Sequence, residues 1–123
     1  MTLTLAVLAS NAAAQTAPVP PPPDRPPLLD CAQKVFVAET IVCESPDLLA
    51  QNGRVEAAYL DLRGRLAPAA ATVLEDEQRA WLARRNACVF KSSSRGYIAR
   101  ANAARLKDLA RLTSRLGERR PSG

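Results

Sequence analysis

Apolar residues recur at helical spacing in the segment that follows Ser45-Pro46-Asp47. Ser45 is a preferred N-cap residue, proline is favoured in the first helical turn, and Asp47 places a negative charge near the helix N-terminus. Ala67-Pro68 should end the helix, and Asn52-Gly53 could break it near its first turns. The apolar positions fall on one stripe: Leu48, Val55, Tyr59, Leu62 and Leu66.

A second long helix is predicted from about residue 69 to residue 89. Leu74, Trp81 and Cys88 recur every seven residues and define its buried face. Gln78 and Arg85 lie three or four residues from Trp81, so the helix directs both towards the same face. A buried guanidinium needs a partner inside the protein.

A third long helix is predicted after the capping segment Ser92-Ser93-Ser94, and it should end at Gly117. The segment from Cys31 to Val42 adds a shorter helix. Because short connections make successive helices antiparallel neighbours, the sequence predicts an all-α fold, a small antiparallel bundle of three long helices and a short N-terminal helix. The apolar stripe of the third long helix contains Ile98, Leu106, Leu109, Leu112 and Leu116.

The N-terminus has the pattern of a secretory signal. A short apolar run is followed by Ala12-Ala13-Ala14, whose small residues suit cleavage. We predict a signal peptide over residues 1–14 whose true start lies upstream, because no Lys or Arg precedes the apolar run. A buried first helix is the alternative, but the prolines that follow would separate it from any core. The expected location is periplasmic or secreted.

The rest of the chain divides into a linker, one domain and a tail. Seven of the ten prolines fall in residues 15–27, which predicts an extended linker more than a docking ligand for aromatic grooves. The folded domain is predicted over residues 28–117, and a disordered tail over residues 118–123. No apolar run approaches the roughly 20 residues of a bilayer span, so no transmembrane segment is predicted.

Composition and charge narrow the chemistry. The 123 residues include no histidine, which removes Ser-His and Cys-His nucleophile pairs and His-containing zinc sites, and we predict no cofactor or metal. Residues 84–120 hold eleven Lys or Arg and two Asp or Glu. This surplus predicts either a solvated face or a surface for anionic envelope components, while export argues against nucleic acid. Candidate anionic-surface contacts are Arg100, Lys107, Arg111 and Arg115.

Three cysteines in an exported domain predict a disulfide framework. Cys31, Cys43 and Cys88 can all reach one end of the bundle, so one bridge and one free thiol is the simplest outcome. The sequence leaves the bonded pair open. A metal site is a poor alternative without histidine or a C-x-x-C motif, and a reactive thiol at Cys88 is a further possibility.

Short motifs through the folded part carry a family resemblance. The most specific is the block E-Q-R-A-W-L-A-R-R-N-A-C over residues 77–88. From Asp30 to about Leu112 the chain resembles the LprI-like lysozyme inhibitor N-terminal domains. The other matching pieces are Asp30-Cys31, E-T-I-V-C over residues 39–43, S-P-D-L over residues 45–48, Tyr59, Tyr97-Ile98, Arg105-Leu106 and Leu109.

The resemblance implies an all-α, disulfide-stapled, exported module without enzymatic activity. Tyr97 stands where the family has its fourth cysteine, which puts one of two expected bridges in doubt. Asn52 replaces the family's Asp, and Asn102 replaces its Tyr. The structural signature that the resemblance carries over consists of Glu39, Tyr59, Gln78, Trp81, Arg85 and Arg105.

We expect most signature residues to hold the fold. Trp81 should lie in the core, although a lone tryptophan can also anchor an interface. Glu39 and Arg85 are expected to form a structural ion pair, with a recognition pair as the alternative. Gln78 should be a buried hydrogen-bonding group. Function would then lie on the variable surface.

The acidic residues are the predicted contact surface for a basic lysozyme. Glu75, Asp76 and Glu77 are expected near the positive end of the second long helix and are the candidate partner contacts. A glycosidase acid and base is a weaker interpretation, since successive residues fan around a helix. We therefore predict inhibition by stoichiometric occlusion, or alternatively an envelope accessory module attached through its basic last helix. The wider acidic patch comprises Glu39, Glu44, Asp47, Glu56, Asp61, Glu75, Asp76 and Glu77.

Overall fold

The computed structural model describes residue 2, residues 26–87 and residues 93–118. Its four helices confirm the all-α prediction, and no strand occurs in these ranges. The proposed signal peptide, nearly all of the proposed linker, Cys88 and the last five residues lie outside them. The helices are α1 (Val37–Glu44), α2 (Pro46–Arg65), α3 (Pro68–Ala87) and α4 (Ser94–Glu118).

Helix α2 begins and ends where its sequence predicts. Ser45 is extended, Pro46 opens the helix, and Leu66 returns the chain to extended backbone before Pro68 opens α3. The predicted break at Asn52-Gly53 is wrong, because the helix is continuous there. Asn52 is buried and hydrogen-bonded to Glu56 of the same helix and to Arg85 of α3, and those contacts outweigh the low helix propensity of the pair.

Helix α1 is shorter than the segment predicted for it. Residues 31–36 form turns and irregular backbone, and the helix starts only at Val37. The Glu39 carboxylate explains this start, since its Oε1 accepts hydrogen bonds from the backbone N–H groups of Val35 and Phe36, both at 2.8 Å. These are donors that a helix N-terminus leaves without helical partners.

The bundle contains two apolar clusters. Trp81 lies in the larger one, as its seven-residue spacing predicts, together with Val55, Tyr59, Leu62, Leu74, Leu82 and Leu109 from α2, α3 and α4. The smaller cluster joins α1 to α2 and α4 and consists of Ala38, Val42, Leu48 and Ile98. Most of these residues lie on the predicted stripes, whereas Leu82 of α3 and Ala38 and Val42 of α1 were on none of them.

A disulfide between Cys31 and Cys43 ties the irregular segment to α1, with 5.9 Å between the Cα atoms. The prediction of a disulfide-stapled bundle is confirmed, and the pair that the sequence leaves open is fixed. Closing a loop of this length stabilises a small domain by about 3 kcal/mol in the chain-entropy account. In the described ranges, no helix is both long and apolar enough to cross a bilayer.

Candidate functional site

Arg85 of α3 is buried at the centre of a polar network. Its side chain is 1% exposed. Nη1 donates to Oδ1 of Asn52 on α2 at 2.7 Å and to Oδ1 of Asn102 on α4 at 3.1 Å. Nε donates to Oδ1 of Asn86 at 3.2 Å, and the guanidinium lies 5.2 Å from the Trp81 ring centroid, within cation–π range. One side chain thus links three helices.

The amide groups around Arg85 are themselves fixed by further hydrogen bonds. Asn52 Nδ2 donates to Glu56 Oε2 at 3.0 Å, and the same oxygen accepts from the Leu29 backbone N–H at 2.6 Å. Asn102 Nδ2 donates to Gln51 Oε1 at 3.1 Å. The amide oxygens of Asn52 and Asn102 are therefore oriented towards Arg85 by the bonds that their own nitrogens make.

The expected direct ion pair between Glu39 and Arg85 is wrong. The Glu39 carboxylate accepts from backbone N–H groups of the segment before α1, and three amide oxygens contact Arg85 instead. Glu39 and Glu56 act on the guanidinium at longer range. Burial lowers the pKa of Arg85 to about 10, and these two carboxylates oppose the shift. Arg85 remains charged at neutral pH.

A second buried polar pair joins α3 to α4. Gln78 is 1% exposed, and its Oε1 accepts from Arg105 Nε at 2.8 Å. Burial lowers the pKa of Arg105, while Asp108 and Glu77 act in the opposite direction. Gln78 is thus a buried hydrogen-bonding group. Like Tyr59, Trp81 and Arg85, both residues face the interior and are not accessible to a partner.

The acidic trio does not form one surface. Glu75 lies between Arg63 and Arg79, at 3.3 Å and 2.7 Å, so two cations of the same chain already neutralise it. The Asp76 side chain is 73% exposed and only 3.9 Å from Arg79 at its closest. Glu77, the next residue along α3, is also exposed. Asp76 and Glu77 are therefore the members of the trio that remain open to a partner.

The trio also lies further along α3 than its sequence predicts. Helix α3 starts at Pro68 and has no acidic residue in its first turn. The three carboxylates are in its third turn, beyond the reach of the helix N-terminal charge. Glu75 is held there by ion pairs with Arg63 of α2 and with Arg79.

An apolar groove next to Glu77 is a feature that the sequence analysis missed. It lies where the C-terminal parts of α2 and α4 meet the N-terminal part of α3, and it encloses about 270 Å³. Val73, on the wall of the groove, is 56% exposed. Glu77 and Arg115 give it one acidic and one basic group. The apolar lining is Leu62, Leu66, Ala70, Val73, Leu74, Leu112 and Leu116.

The signal for this groove was present in the sequence. Leu66, Leu112 and Leu116 lie at the ends of their apolar stripes, where no predicted element remains to cover them. Val73 interrupts the otherwise small or polar outer positions of α3. The sequence shows that these residues are apolar and where they lie on each helix, but only the packing shows that they stay partly exposed.

The four predicted basic contacts form one exposed face of α4, here called the basic stripe: Arg100, Lys107, Arg111 and Arg115. At 100° and 1.5 Å per residue they cover about 80° of the helix and about 22 Å of its length. Arg111 pairs with Asp108. Arg105, by contrast, belongs to the interior. Helix α4 therefore buries Arg105 and exposes the basic residues of the basic stripe.

Other members of the acidic patch already have roles inside the protein. Asp61 pairs with Arg65 at 3.1 Å, and Glu39 and Glu56 are bound to backbone N–H groups. Glu44 and Asp47 are exposed, but they lie near the disulfide and not near Asp76. The patch as a whole is not a continuous surface.

Comparison with known protein families gives one match. The family model described as lysozyme inhibitor LprI matches residues 31–117, which include all four helices up to the end of the apolar stripe of α4. The comparisons with curated proteins and with solved structures found no match.

Proposed function

The chain belongs to the LprI lysozyme inhibitor family, and on that premise we propose that it is an exported protein that inhibits a lysozyme by stoichiometric occlusion. The family is one of inhibitors and not of enzymes. The proposed contact is the groove together with Asp76 and Glu77. The lysozyme active site would be covered by a packed surface, with no turnover and no cofactor.

One observation carries the choice of this surface. Glu77 is an exposed carboxylate that lines the apolar groove, and Asp76 is an exposed carboxylate on the neighbouring position, whereas most other acids of the patch are paired or lie at the far end. Animal-type lysozymes are strongly basic, so two carboxylates at the rim favour their approach. The exposed apolar wall, Val73 in particular, supplies the desolvated centre from which most binding energy comes.

Export is supported by two independent features. The Cys31–Cys43 disulfide is of a kind that persists in oxidising compartments such as the periplasm. The apolar run and the alanine triplet at the N-terminus have the pattern of a signal peptide. Peptidoglycan lysozymes act in the same compartments.

The test is lysis of a peptidoglycan suspension by several lysozyme types, with the oxidised protein added at increasing molar ratio. We expect inhibition to approach completion near one to one and to persist at physiological salt, because a packed interface is less sensitive to screening than an exposed ion pair. Val73→Asp should weaken inhibition at least tenfold.

Charge variants locate the surface. The double variant Asp76→Lys/Glu77→Lys should reduce inhibition and slow association. Glu44→Lys/Asp47→Lys is the matched control, since it makes the same charge change at two exposed positions of the other bundle end. Equal effects of the two variants would show that net charge, and not this surface, governs inhibition. Absence of inhibition with every lysozyme type would overturn the proposal.

The basic stripe supports a second candidate function, attachment to anionic envelope surfaces. The four basic residues present positive charge on one exposed helix face. Each can contribute about 1 kcal/mol to binding of an anionic lipid or polymer surface. Cosedimentation with vesicles that contain anionic lipid should fall steeply as salt rises. The variants Lys107→Glu and Arg111→Glu should abolish vesicle binding. They should leave the result of the peptidoglycan lysis assay unchanged. Binding that ignores salt and these variants would contradict this function.

A further inference from the structure

The outward face of α2 carries two leucines and two glycines in one line, here called the outer stripe: Leu49, Gly53, Leu60 and Gly64. Leu49 and Leu60 are 40% and 44% exposed. The two glycines are also exposed. At 100° per residue the four positions lie within about 60° of the helix circumference. They point away from the buried residues of the same helix, such as Val55 and Leu62.

Nothing in the described bundle requires glycine at these positions. Neither glycine has a positive φ, and a Cβ at either would meet no atom within 4 Å. Glycine inside a helix lowers its stability relative to alanine or leucine. What glycine provides in return is room for another backbone or a large side chain to come close.

The outer stripe is complementary to itself. Its spacing of four, seven and four residues is the same in both directions, while leucine and glycine exchange places when the direction is reversed. In two antiparallel α2 helices related by a twofold axis between residues 56 and 57, Leu49 lies opposite Gly64 of the second copy. Leu60 then lies opposite Gly53. Each large side chain meets a position without a side chain.

Charges beside the outer stripe fit the same arrangement. Arg54 and Asp61 are both exposed and lie on the same flank of α2. About the same axis, Arg54 of one copy comes within about 3 Å, measured along the helix, of the level of Asp61 of the other. The symmetry makes two such pairs. Within one chain Asp61 faces only the equally exposed Arg65, at 3.1 Å.

We propose that the outer stripe is a homodimer interface in which two copies pack α2 against α2 in antiparallel orientation. An interface of one helix from each chain is smaller than a standard stable interface, so the dimer is a weak one that forms in the micromolar range. The groove lies on the other side of α2 and stays open in both copies. The proposal therefore does not depend on lysozyme inhibition.

The test is sedimentation velocity over a concentration series of the full mature chain. The variant Cys88→Ser serves as the background, because Cys31 and Cys43 are bonded to each other and the third thiol could otherwise join two chains covalently. We expect a concentration-dependent dimer. A chain that remains monomeric up to about 1 mM would overturn the proposal, since weak specific pairs are populated there.

Glycine variants separate the interface from the fold. Gly53→Leu and Gly64→Leu should each weaken dimerisation at least tenfold, while the thermal midpoint of the dilute monomer rises because leucine is the better helix former. Ala103→Leu adds the same side chain to an exposed position of α4 and should leave the dimer unchanged. A dimer that tolerates both glycine variants would refute this interface.

A charge exchange provides the second check. Arg54→Asp and Asp61→Arg should each weaken the dimer by about threefold, because each places like charges at both symmetric positions. The double variant Arg54→Asp/Asp61→Arg should restore wild-type dimerisation. Rescue is expected only if the two side chains meet across the axis, and its absence would contradict the antiparallel register.

Discussion

The two halves of the bundle differ in what they cover. In the half that carries α1 and the Cys31–Cys43 disulfide, Arg85 is 1% exposed and bound to three amide oxygens. In the other half, leucines of α2, α3 and α4 surround an open groove, and Arg63 and Glu75 pair at the surface. One half therefore covers a buried cation, and the other leaves an apolar groove open.

The difference follows from what covers each half. Helix α1 and the irregular segment before it close the first half, and Leu29 and Glu39 place backbone N–H groups and carboxylates around the network. No described element closes the second half. A buried charge is stabilised by hydrogen bonds inside the protein, and Arg85 makes them through Nε and Nη1, while its buried Nη2 has no hydrogen-bond partner among the described residues. Arg85 therefore depends on the covered half. The open half keeps apolar surface that a partner can bury.

The largest predicted effect comes from removing the buried cation. Arg85→Ala should destabilise the domain by about 3–5 kcal/mol, because it leaves the amide oxygens of Asn52, Asn86 and Asn102 without their donor and opens a cavity beside Trp81. The measurement is urea unfolding followed by far-UV circular dichroism.

The neighbouring residue provides the control for this prediction. Arg84→Ala removes the same side chain from an exposed position and should stay within about 0.5 kcal/mol of wild type. Similar losses for the two variants would mean that the network around Arg85 does not stabilise the covered half more than an ordinary surface residue does.

A matched pair of leucines tests the open half. Leu109 is 0% exposed in the core, whereas Leu112, less than one turn further along α4, is only partly buried and lines the groove. Leu109→Ala should cost about 2–5 kcal/mol and Leu112→Ala about 1 kcal/mol. Thermal and urea unfolding would compare them. An equal cost would show that the groove is packed as tightly as the core.

The smallest effect is a pH dependence at Tyr59. Burial, and secondarily Glu75, raises the pKa of Tyr59 above 10.0, its ordinary value, so the folded state holds this proton more tightly than the unfolded state. The resulting stability is present below pH 10 and is lost as the pH rises through the raised pKa of the folded state. Tyr59→Phe should be nearly neutral at pH 7 and more stable than wild type above pH 10.

Comparing wild type with Tyr59→Phe cancels the contributions of other groups that titrate at alkaline pH, because both proteins contain those groups. Burial lowers the pKa of Arg85 to about 10, so above pH 10 the unfolded state holds more protons at this residue and stability rises with pH. That effect has the opposite sign and is present in both proteins. Parallel stability curves for wild type and Tyr59→Phe from pH 8 to pH 11 would show that the Tyr59 hydroxyl is not buried in solution.

Much of the fold could be predicted because it depends on local pattern. The apolar stripe from Leu48 to Leu62 predicted α2, and Ser45-Pro46 predicted its start. The spacing of Leu74 and Trp81 predicted the buried face of α3. The start of α1 could not be predicted in this way. It depends on Glu39, whose carboxylate bonds to N–H groups of an irregular segment held by the disulfide.

The candidate sites were predicted less completely. The exposed bases of α4 follow from helical periodicity, and so does the burial of Gln78 and Arg85. The partners of Arg85 do not, since Asn52 and Asn102 lie 33 and 17 residues away in sequence. Two neutral amides from α2 and α4 therefore meet at Arg85.

The sequence by itself determined which residues form helices and which face of each helix is apolar, because these depend on capping residues and on a period of 3.6 residues. Only the tertiary structure decided which polar groups meet. It joined Cys31 to Cys43, gave Arg85 three amide oxygens in place of Glu39, paired Glu75 with two arginines and left the groove uncovered. Such contacts depend on how helices are placed in three dimensions, which no single helix specifies.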